Sequence, residues 1–192
     1  MKNNLFNFVK IYNNALPEKL AANILDICKS PYAIYEGALL TTKKEIPEIR
    51  SCSVWHLNNI ISESKTNQHL CNIFKKIILQ IMKEYIREYS IKNSRDKILI
   101  ESIQVLKYEI GGHYIYHTDD SMYDPRFLSF VYLLNDDYEG GELVFKSWDN
   151  DTEEKIEVVK NTVIVFPSNF LYVHKVKPVT KGTKYSIVSW IK

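Results

Sequence analysis

The 192-residue sequence has little of several features that define common protein classes. Its three cysteines, Cys28, Cys52 and Cys71, are odd in number and lack metal-ligand spacing, which argues against a disulfide scaffold or a zinc knuckle and fits a reducing compartment. Six glycines and six prolines leave no low-complexity linker. A formal net charge of +2, from 25 basic and 23 acidic residues, gives no signal for binding nucleic acid or anionic membranes.

Long apolar runs are also missing from the chain. Runs such as Ile77–Leu79 are too short to span a bilayer, and the N-terminal residues contain no apolar stretch of signal-peptide length. We therefore expect a cytoplasmic location, no membrane partner and no nucleic-acid partner. At roughly 150 residues per domain, the length predicts one domain over residues 1–192.

The first half of the chain, residues 1–97, is predicted to supply helical support and a segment on the substrate side. Pro17 suits the first turn of a helix, and apolar residues follow it at helical spacing. A longer helix is predicted from about Asn67 to Tyr89. Its apolar stripe consists of Leu70, Phe74, Ile77, Ile81 and Tyr85. Farther along, Arg50–Trp55 is a candidate strand.

From residue 98 onward the apolar period changes from helical spacing to alternation, which is typical of strands. Short β-rich segments alternate with turn residues, a pattern that favours an antiparallel jelly roll over a parallel sheet. The prediction is a mainly β fold. Residues 98–192 form a double-stranded β-helix (jelly-roll, cupin-like) core, flanked by N-terminal helices that cover one outer sheet face. The predicted strands include Ile103–Tyr108, Phe127–Leu134, Glu142–Phe145, Lys155–Val159, Thr162–Phe166, His174–Val179 and Thr183–Ile191.

Two histidines and one aspartate form the candidate metal site. His117 and Asp119 are two residues apart, so in a strand both side chains would point to the same face, and His174 lies on a later predicted strand. Two imidazoles and one carboxylate make the facial triad that holds non-haem Fe(II) and leaves coordination positions open. Taken alone, the His-x-Asp tripeptide is common in proteins and is more typical of a surface turn or a structural ion pair.

Lys184 is the candidate anchor for an anionic co-substrate. By strand parity Lys184 shares a face with Ser186, Val188 and Trp190. A cation on an inward, mostly apolar face is costly unless it meets an anion, and a dicarboxylate would supply one. The alternative is a side chain that reaches solvent at the strand end.

Taken together, the motifs of residues 104–190 resemble those of 2-oxoglutarate- and Fe(II)-dependent dioxygenases, in the prolyl 4-hydroxylase-like branch. The match covers nearly half of the chain in the correct order and spacing. It consists of Tyr108-x-x-Gly111-x-x-Tyr114-x-x-His117-x-Asp119, Arg126-x-x-Ser129, Gly140-Gly141-Glu142-Leu143, Val163-Ile164-Val165-Phe166-Pro167-Ser168, His174-x-Val176-x-Pro178-Val179-x-x-Gly182-x-Lys184 and Trp190.

The resemblance implies a role for each matching residue. It implies that the His117, Asp119 and His174 triad binds iron. It implies that Lys184 and Tyr108 bind the distal carboxylate of 2-oxoglutarate, whose carbon chain Leu143 and Val176 would flank. It also implies that Tyr114, Arg126, Trp190 and, more loosely, Arg50 lie on the substrate side. For Tyr114 and Trp190 the alternative is an ordinary aromatic position in the β core, and Arg126 could instead cap its strand.

The implied activity is an oxidoreductase that uses Fe(II), 2-oxoglutarate and O2, with ascorbate as a candidate further cofactor. The implied reaction is hydroxylation of proline in a peptide or protein, with succinate and CO2 as co-products. One alternative is a hydroxylase of a free amino acid or another small molecule, and a second is a metal-binding jelly-roll module without catalysis. Leu133, Leu143 and Lys192 depart from residues found in some relatives, so they leave the substrate open.

Overall fold

The computed structural model describes residues 5–38, 45–58, 64–92, 98–122, 125–147 and 152–192. A 3-10 helix at Leu5–Phe8 precedes the two α-helices, α1 (Glu18–Lys29) and α2 (Lys65–Glu88). The strands are β1 (Lys10–Tyr12), β2 (Glu36–Gly37), β3 (Arg50–Ser51), β4 (Ser53–His56), β5 (Gln104–Tyr108), β6 (His113–His117), β7 (Leu128–Leu133), β8 (Glu139–Gly140), β9 (Leu143–Lys146), β10 (Glu153–Lys155), β11 (Thr162–Pro167), β12 (His174–Val176), β13 (Val179–Lys181) and β14 (Lys184–Ile191).

The strands form two main antiparallel sheets, which confirms the predicted mainly β, jelly-roll-like fold. The larger sheet has seven strands in the order β1-β11-β7-β14-β5-β4-β2, and the smaller has five in the order β10-β9-β12-β6-β3. Two short strands, β13 and β8, pair separately. The N-terminal half supplies β1 to β4 as well as the helices, so it completes both sheets.

The helices cover the outer face of the larger sheet, as predicted. Apolar side chains of α2 pack with residues of β14 and β7 in one cluster, in which Phe74 and Tyr132 meet edge to face at 5.6 Å. The helix begins at a side-chain cap, because Ser64 accepts a hydrogen bond from the Asn67 backbone N–H at 3.3 Å. This layer holds the larger sheet rigidly, so that its other face can carry the site.

Between the two sheets lie two further apolar clusters. One joins Tyr108 and Trp190 of the larger sheet to Val176 of the smaller one, and the other joins Phe166 to Phe145. The parity predicted for β14 is confirmed: Lys184, Ser186, Val188 and Trp190 face the space between the sheets, whereas Tyr185, Ile187 and Ile191 pack towards the helices.

Three strand predictions differ from the structure. The segment Arg50–Trp55 divides at Cys52 into β3 and β4, which belong to different sheets. The strand predicted at Lys155–Val159 lies earlier, at Glu153–Lys155, where it pairs with β9. The segment His174–Val179 is interrupted at Pro178, which has no N–H for a ladder, so β12 and β13 are separate.

Candidate active site

A cavity of about 330 Å³ lies between the two sheets. Its wall brings together residues from both halves of the chain, including His117, Asp119, His174, Lys184, Arg50 and Trp190. The cavity therefore gathers every residue that the sequence assigned to iron, co-substrate and substrate. The other assigned residues that line the cavity are Tyr108, Tyr114, Arg126, Leu143 and Val176.

Three of these side chains form a compact donor cluster. The nearest ligand atoms of His117, Asp119 and His174 all lie within 4.8 Å of one another. The carboxylate of Asp119 is 3.7 Å from His117 Nε2 and 3.8 Å from His174 Nε2. These separations are too long for hydrogen bonds but suit one shared ion, because imidazole and carboxylate donors stand about 2 Å from a metal.

The three ligands come from two adjacent strands and a loop. His117 ends β6 and pairs in register with His174, the first residue of β12. The two rings lie 4.2 Å apart between centroids. The prediction that Asp119 shares the strand of His117 is wrong, because β6 ends at His117 and Asp119 lies just beyond it. The chain bends there, and the bend turns the carboxylate towards the two imidazoles.

Both imidazoles are held in the orientation that metal binding requires. His117 Nδ1 lies 2.9 Å from the Ile115 carbonyl oxygen, and His174 Nδ1 lies 3.0 Å from that of Tyr172. A carbonyl accepts only, so each Nδ1 carries the proton and each Nε2 presents its lone pair to the shared point. Burial, together with the neighbouring His174, lowers the pKa of His117 to about 3, so the ring is neutral at pH 7.

Asp119 is ionised despite its burial. Burial alone would raise the pKa of Asp119, but the two imidazoles and hydrogen bonds from Ser129 and Trp190 outweigh it and hold the pKa below its ordinary value. The Ser129 hydroxyl is itself 2.8 Å from the hydroxyl of Ser168. Two imidazole nitrogens and one carboxylate therefore form a donor set that fits a divalent iron ion.

The Arg126 side chain supports the loop that carries Asp119. Its guanidinium forms two hydrogen bonds with Glu101, at 2.7 and 2.6 Å, and a third with the Asp119 carbonyl oxygen at 3.0 Å. It also lies 4.0 Å from the centroid of the Trp190 ring. The Asp120 carboxylate accepts the Arg126 backbone N–H at 2.8 Å and so closes the same loop.

Lys184 is a buried cation at the inner end of the cavity. Its side chain is 2% exposed, and Nζ donates to the Gly141 carbonyl oxygen at 2.6 Å. Burial lowers the pKa of Lys184 to about 8. No carboxylate in the described part of the chain forms an ion pair with Lys184. A bound anion would therefore offset the energetic cost of removing water from its ammonium group.

The surroundings of Lys184 are apolar and aromatic. Lys184 Nζ lies 5.5 Å from the centroid of the Tyr108 ring. The Tyr108 side chain is fully buried beside the Cys52 thiol, and burial raises its pKa, so its hydroxyl stays protonated and can donate. Leu143 and Val176 pair across β9 and β12 on the cavity wall.

At the other end of the cavity, Tyr114 contacts a metal ligand and a cation. Its ring stacks on that of His117, with 3.5 Å between centroids and 17° between planes. The Arg50 guanidinium carbon lies 4.9 Å from the centroid of the Tyr114 ring, because Arg50 pairs with Tyr114 in register across β3 and β6. The Arg50 Nε atom is buried and has no hydrogen-bond partner.

Sequence reasoning missed Ser129, Ser168 and Glu101 as parts of the site. Ser129 and Ser168 stand within motifs that match the family, but no role was assigned to them. One signal was available for Ser129, since it interrupts the apolar run of β7 and a buried hydroxyl must find a partner. Glu101 has no such signal, because its pairing with Arg126 depends on the tertiary fold.

Comparison with known proteins agrees with this site. Residues 103–192 match the family model described as the 2OG-Fe(II) oxygenase superfamily. The matched residues include the metal triad and Lys184. The description of that family model names Fe(II) and 2-oxoglutarate, and the triad and Lys184 fit both.

Among curated proteins, the chain is similar to PKHD-type hydroxylases. It is 38% identical to one from Gloeothece citriformis over 99 residues, which cover 48% of this chain and 43% of the relative. It is 28% identical to one from Picosynechococcus over 172 residues, 85% of this chain and 74% of the relative. The chain thus spans less than half of the length of the first of these relatives.

Two solved structures share the fold over almost the whole chain. A prolyl hydroxylase from Trichoplax adhaerens, in complex with a peptide fragment of the hypoxia inducible factor oxygen degradation domain, has a TM-score of 0.77 at 21% identity and covers 96% of this chain and 83% of its own. A prolyl-4-hydroxylase from Pseudomonas putida has a TM-score of 0.72 at 20% identity, with coverages of 96% and 92%. At these identities the likeness shows the fold alone.

Among the described residues, no helix is both long and apolar enough to cross a membrane.

Proposed function

We propose that this protein is a 2-oxoglutarate- and Fe(II)-dependent dioxygenase that hydroxylates proline in a peptide or protein, with succinate and CO2 as co-products. The observation that carries the proposal is that the His117, Asp119 and His174 cluster and the buried Lys184 line one cavity. The prolyl hydroxylases among the similar structures support proline as the target.

In this proposal the protein holds the metal through three preorganised donors. The carbonyl oxygens of Ile115 and Tyr172 fix the two imidazoles, and Ser129 and Trp190 fix the carboxylate. Bound Fe(II) supplies the oxidising chemistry with O2 and 2-oxoglutarate, which no amino-acid side chain can provide. The side chains need no acid or base of their own, and they act by binding and positioning.

Lys184 and Tyr108 are proposed to hold the distal carboxylate of 2-oxoglutarate. The Lys184 ammonium already donates to the Gly141 carbonyl oxygen, which aims it, and it has further protons for a carboxylate. Burial keeps the Tyr108 hydroxyl protonated, and Lys184 Nζ lies 5.5 Å from the centroid of the Tyr108 ring, so both groups are proposed to bind that anion. Leu143 and Val176 would flank the carbon chain and keep water from it.

The substrate side is proposed to be formed by Tyr114, Arg126, Trp190 and Arg50. All four line the cavity, but they are not equally available. Arg126 is engaged with Glu101, and the indole of Trp190 with Asp119, so both act mainly by supporting the metal loop. Tyr114 and Arg50 are then the side chains that contact the target most directly.

The experiment is mass spectrometry of products. Proline-containing peptides and free L-proline are incubated with the protein, Fe(II), 2-oxoglutarate and ¹⁸O₂, with and without ascorbate. The proposal predicts a peptide that gains one labelled oxygen, together with one succinate per hydroxylation. Succinate without any hydroxylated peptide would reject the peptide substrate, and labelled free hydroxyproline would establish the alternative, a hydroxylase of a free amino acid.

A further inference from the structure

The Arg50 guanidinium is a second cation in the same cavity as Lys184, at the end close to the metal ligands. Its neighbour Tyr114 also contacts the iron ligand His117, so the guanidinium and the ligand share one aromatic ring. Arg50 is part of the short strand β3, which is hydrogen-bonded to β6, the strand that ends in His117. The position of the guanidinium is therefore fixed relative to the metal site by sheet pairing.

Arg50 lacks an acidic partner, unlike Arg126. No carboxylate of the described residues forms an ion pair with Arg50, and its buried Nε has no hydrogen-bond partner. Two acids line the cavity, and both are already engaged: Asp119 belongs to the metal cluster, and Asp120 accepts the Arg126 backbone N–H. The guanidinium has a side-chain hydrogen bond with Cys52, whose sulfur is a weak acceptor. A partly desolvated guanidinium without a strong acceptor is costly, and its planar fork of donors matches a carboxylate.

Lys184 and Arg50 reach the cavity from different sheets, and Cys52 and Tyr108 lie near both cations. Lys184 projects from β14 of the larger sheet, next to Tyr108 and Gly141, whereas Arg50 projects from β3 of the smaller sheet, next to Tyr114. The proposed function assigns the distal carboxylate of 2-oxoglutarate to Lys184, and it assigns Arg50 to the side of the cavity that takes the target.

We propose that Arg50 binds a carboxylate of the hydroxylated substrate, so that this site selects an acid over the corresponding amide. The inference rests on the proposed function, because it assigns 2-oxoglutarate to Lys184. The carboxylate has two possible sources, a free α-carboxylate next to the target carbon or an acidic side chain beside it. Both offer the same planar pair of oxygens to the guanidinium.

The test is anaerobic titration calorimetry on protein loaded with Fe(II) and 2-oxoglutarate. One probe pair is N-acetyl-L-proline against N-acetyl-L-prolinamide, for the α-carboxylate. The other is acetyl-Pro-Glu-amide against acetyl-Pro-Gln-amide, for the side chain. We expect the acid of one pair to bind at least tenfold more tightly than its neutral partner, and the responsive pair identifies the source of the carboxylate.

Substitutions of Arg50 test whether the preference for the acid over the amide depends on this residue. Arg50→Gln is expected to abolish the preference, Arg50→Lys to retain part of it, and both to leave the affinity for 2-oxoglutarate unchanged. Lys181→Gln, which removes an exposed lysine paired with Glu139, is the control for a general charge effect and should keep the full preference. Far-ultraviolet circular dichroism checks the fold of each variant.

Several outcomes would overturn the inference. These are equal binding of acid and amide in both pairs by the wild-type protein, binding of none of the probes, or a preference that survives in a folded Arg50→Gln variant. The comparison of acid with amide in the wild-type protein tests the inference even if a variant fails to fold. Failure of the proposed function is distinct, because it would appear as no succinate formed from 2-oxoglutarate in aerobic assays, whereas these titrations need no turnover.

Discussion

The Ser129 hydroxyl lies 2.8 Å from the Ser168 hydroxyl and also forms a hydrogen bond with the carboxylate of Asp119. The two serines come from β7 and from the turn after β11, which are paired next to each other in the larger sheet. A metal ligand in a loop is thereby tied to the rigid sheet beneath the helices.

This relationship predicts that Ser129→Ala weakens metal binding. Loss of the hydrogen bond removes one cause of the lowered pKa of Asp119 and frees its carboxylate to rotate, so we expect about a tenfold loss of Fe(II) affinity. Competition with a chelating dye under anaerobic conditions measures it. Ser189→Ala is the matched control, since Ser189 faces α2, away from the cavity, and an equal loss there would refute the role of Ser129.

A second prediction concerns the pH dependence of 2-oxoglutarate binding. The charged form of Lys184 binds the anion, and burial lowers the pKa of Lys184 to about 8, so affinity should fall as the pH rises through that value. In the Lys184→Arg variant the arginine stays positively charged over this range. Its affinity for 2-oxoglutarate should therefore change little between pH 7 and 9. Calorimetric titration at several pH values measures both.

Removal of the Lys184 cation should separate co-substrate binding from metal binding. Lys184→Ala is expected to weaken 2-oxoglutarate binding by about thirtyfold or more, because it leaves a buried carboxylate unpaired. Fe(II) affinity should stay at the wild-type value. If 2-oxoglutarate bound the variant as tightly as the wild-type protein, Lys184 would have no part in holding it.

A fourth prediction tests stability rather than chemistry. The buried Asn161 has a φ of 59°, and its side-chain amide bonds both the N–H and the carbonyl of Leu16 and accepts the Tyr132 hydroxyl. Asn161→Ala leaves these groups unpaired and places alanine in a left-handed conformation, so the free energy of unfolding should fall by about 3 kcal/mol. Urea denaturation measures it. Asn72→Ala, on the exposed face of α2, should leave the free energy of unfolding almost unchanged. Equal decreases in the two variants would contradict the role assigned to Asn161.

The parts of the fold that follow from local pattern were predictable from the sequence. The apolar stripe of α2 and the alternation along β14 depend on residues close in the chain, and alternation was enough to place Lys184 in the cavity. The metal ligands were found because imidazole and carboxylate at that spacing have a specific chemistry, although the inferred reason for Asp119 was wrong: it lies beyond the strand.

Other features depend on contacts between distant segments, which one sequence does not reveal. The break at Cys52, which sends β3 and β4 to different sheets, has no turn residue to mark it. The strands β2 and β8 have two residues each, too few for any periodicity. Arg126 pairs with Glu101, 25 residues away in sequence, because the segments that precede β5 and β7 both hydrogen-bond to the end of β14. Trp190 of β14 lies against the guanidinium there.

The central claim is that His117, Asp119 and His174 hold Fe(II) beside a 2-oxoglutarate bound to Lys184. Formation of succinate from 2-oxoglutarate tests it most directly, measured in wild-type protein and in His174→Ala, with His69→Ala on the exposed face of α2 as the control. We predict turnover that requires added Fe(II), is kept by His69→Ala and is lost in His174→Ala. Turnover by His174→Ala at the wild-type rate, or wild-type turnover without iron, would contradict the claim.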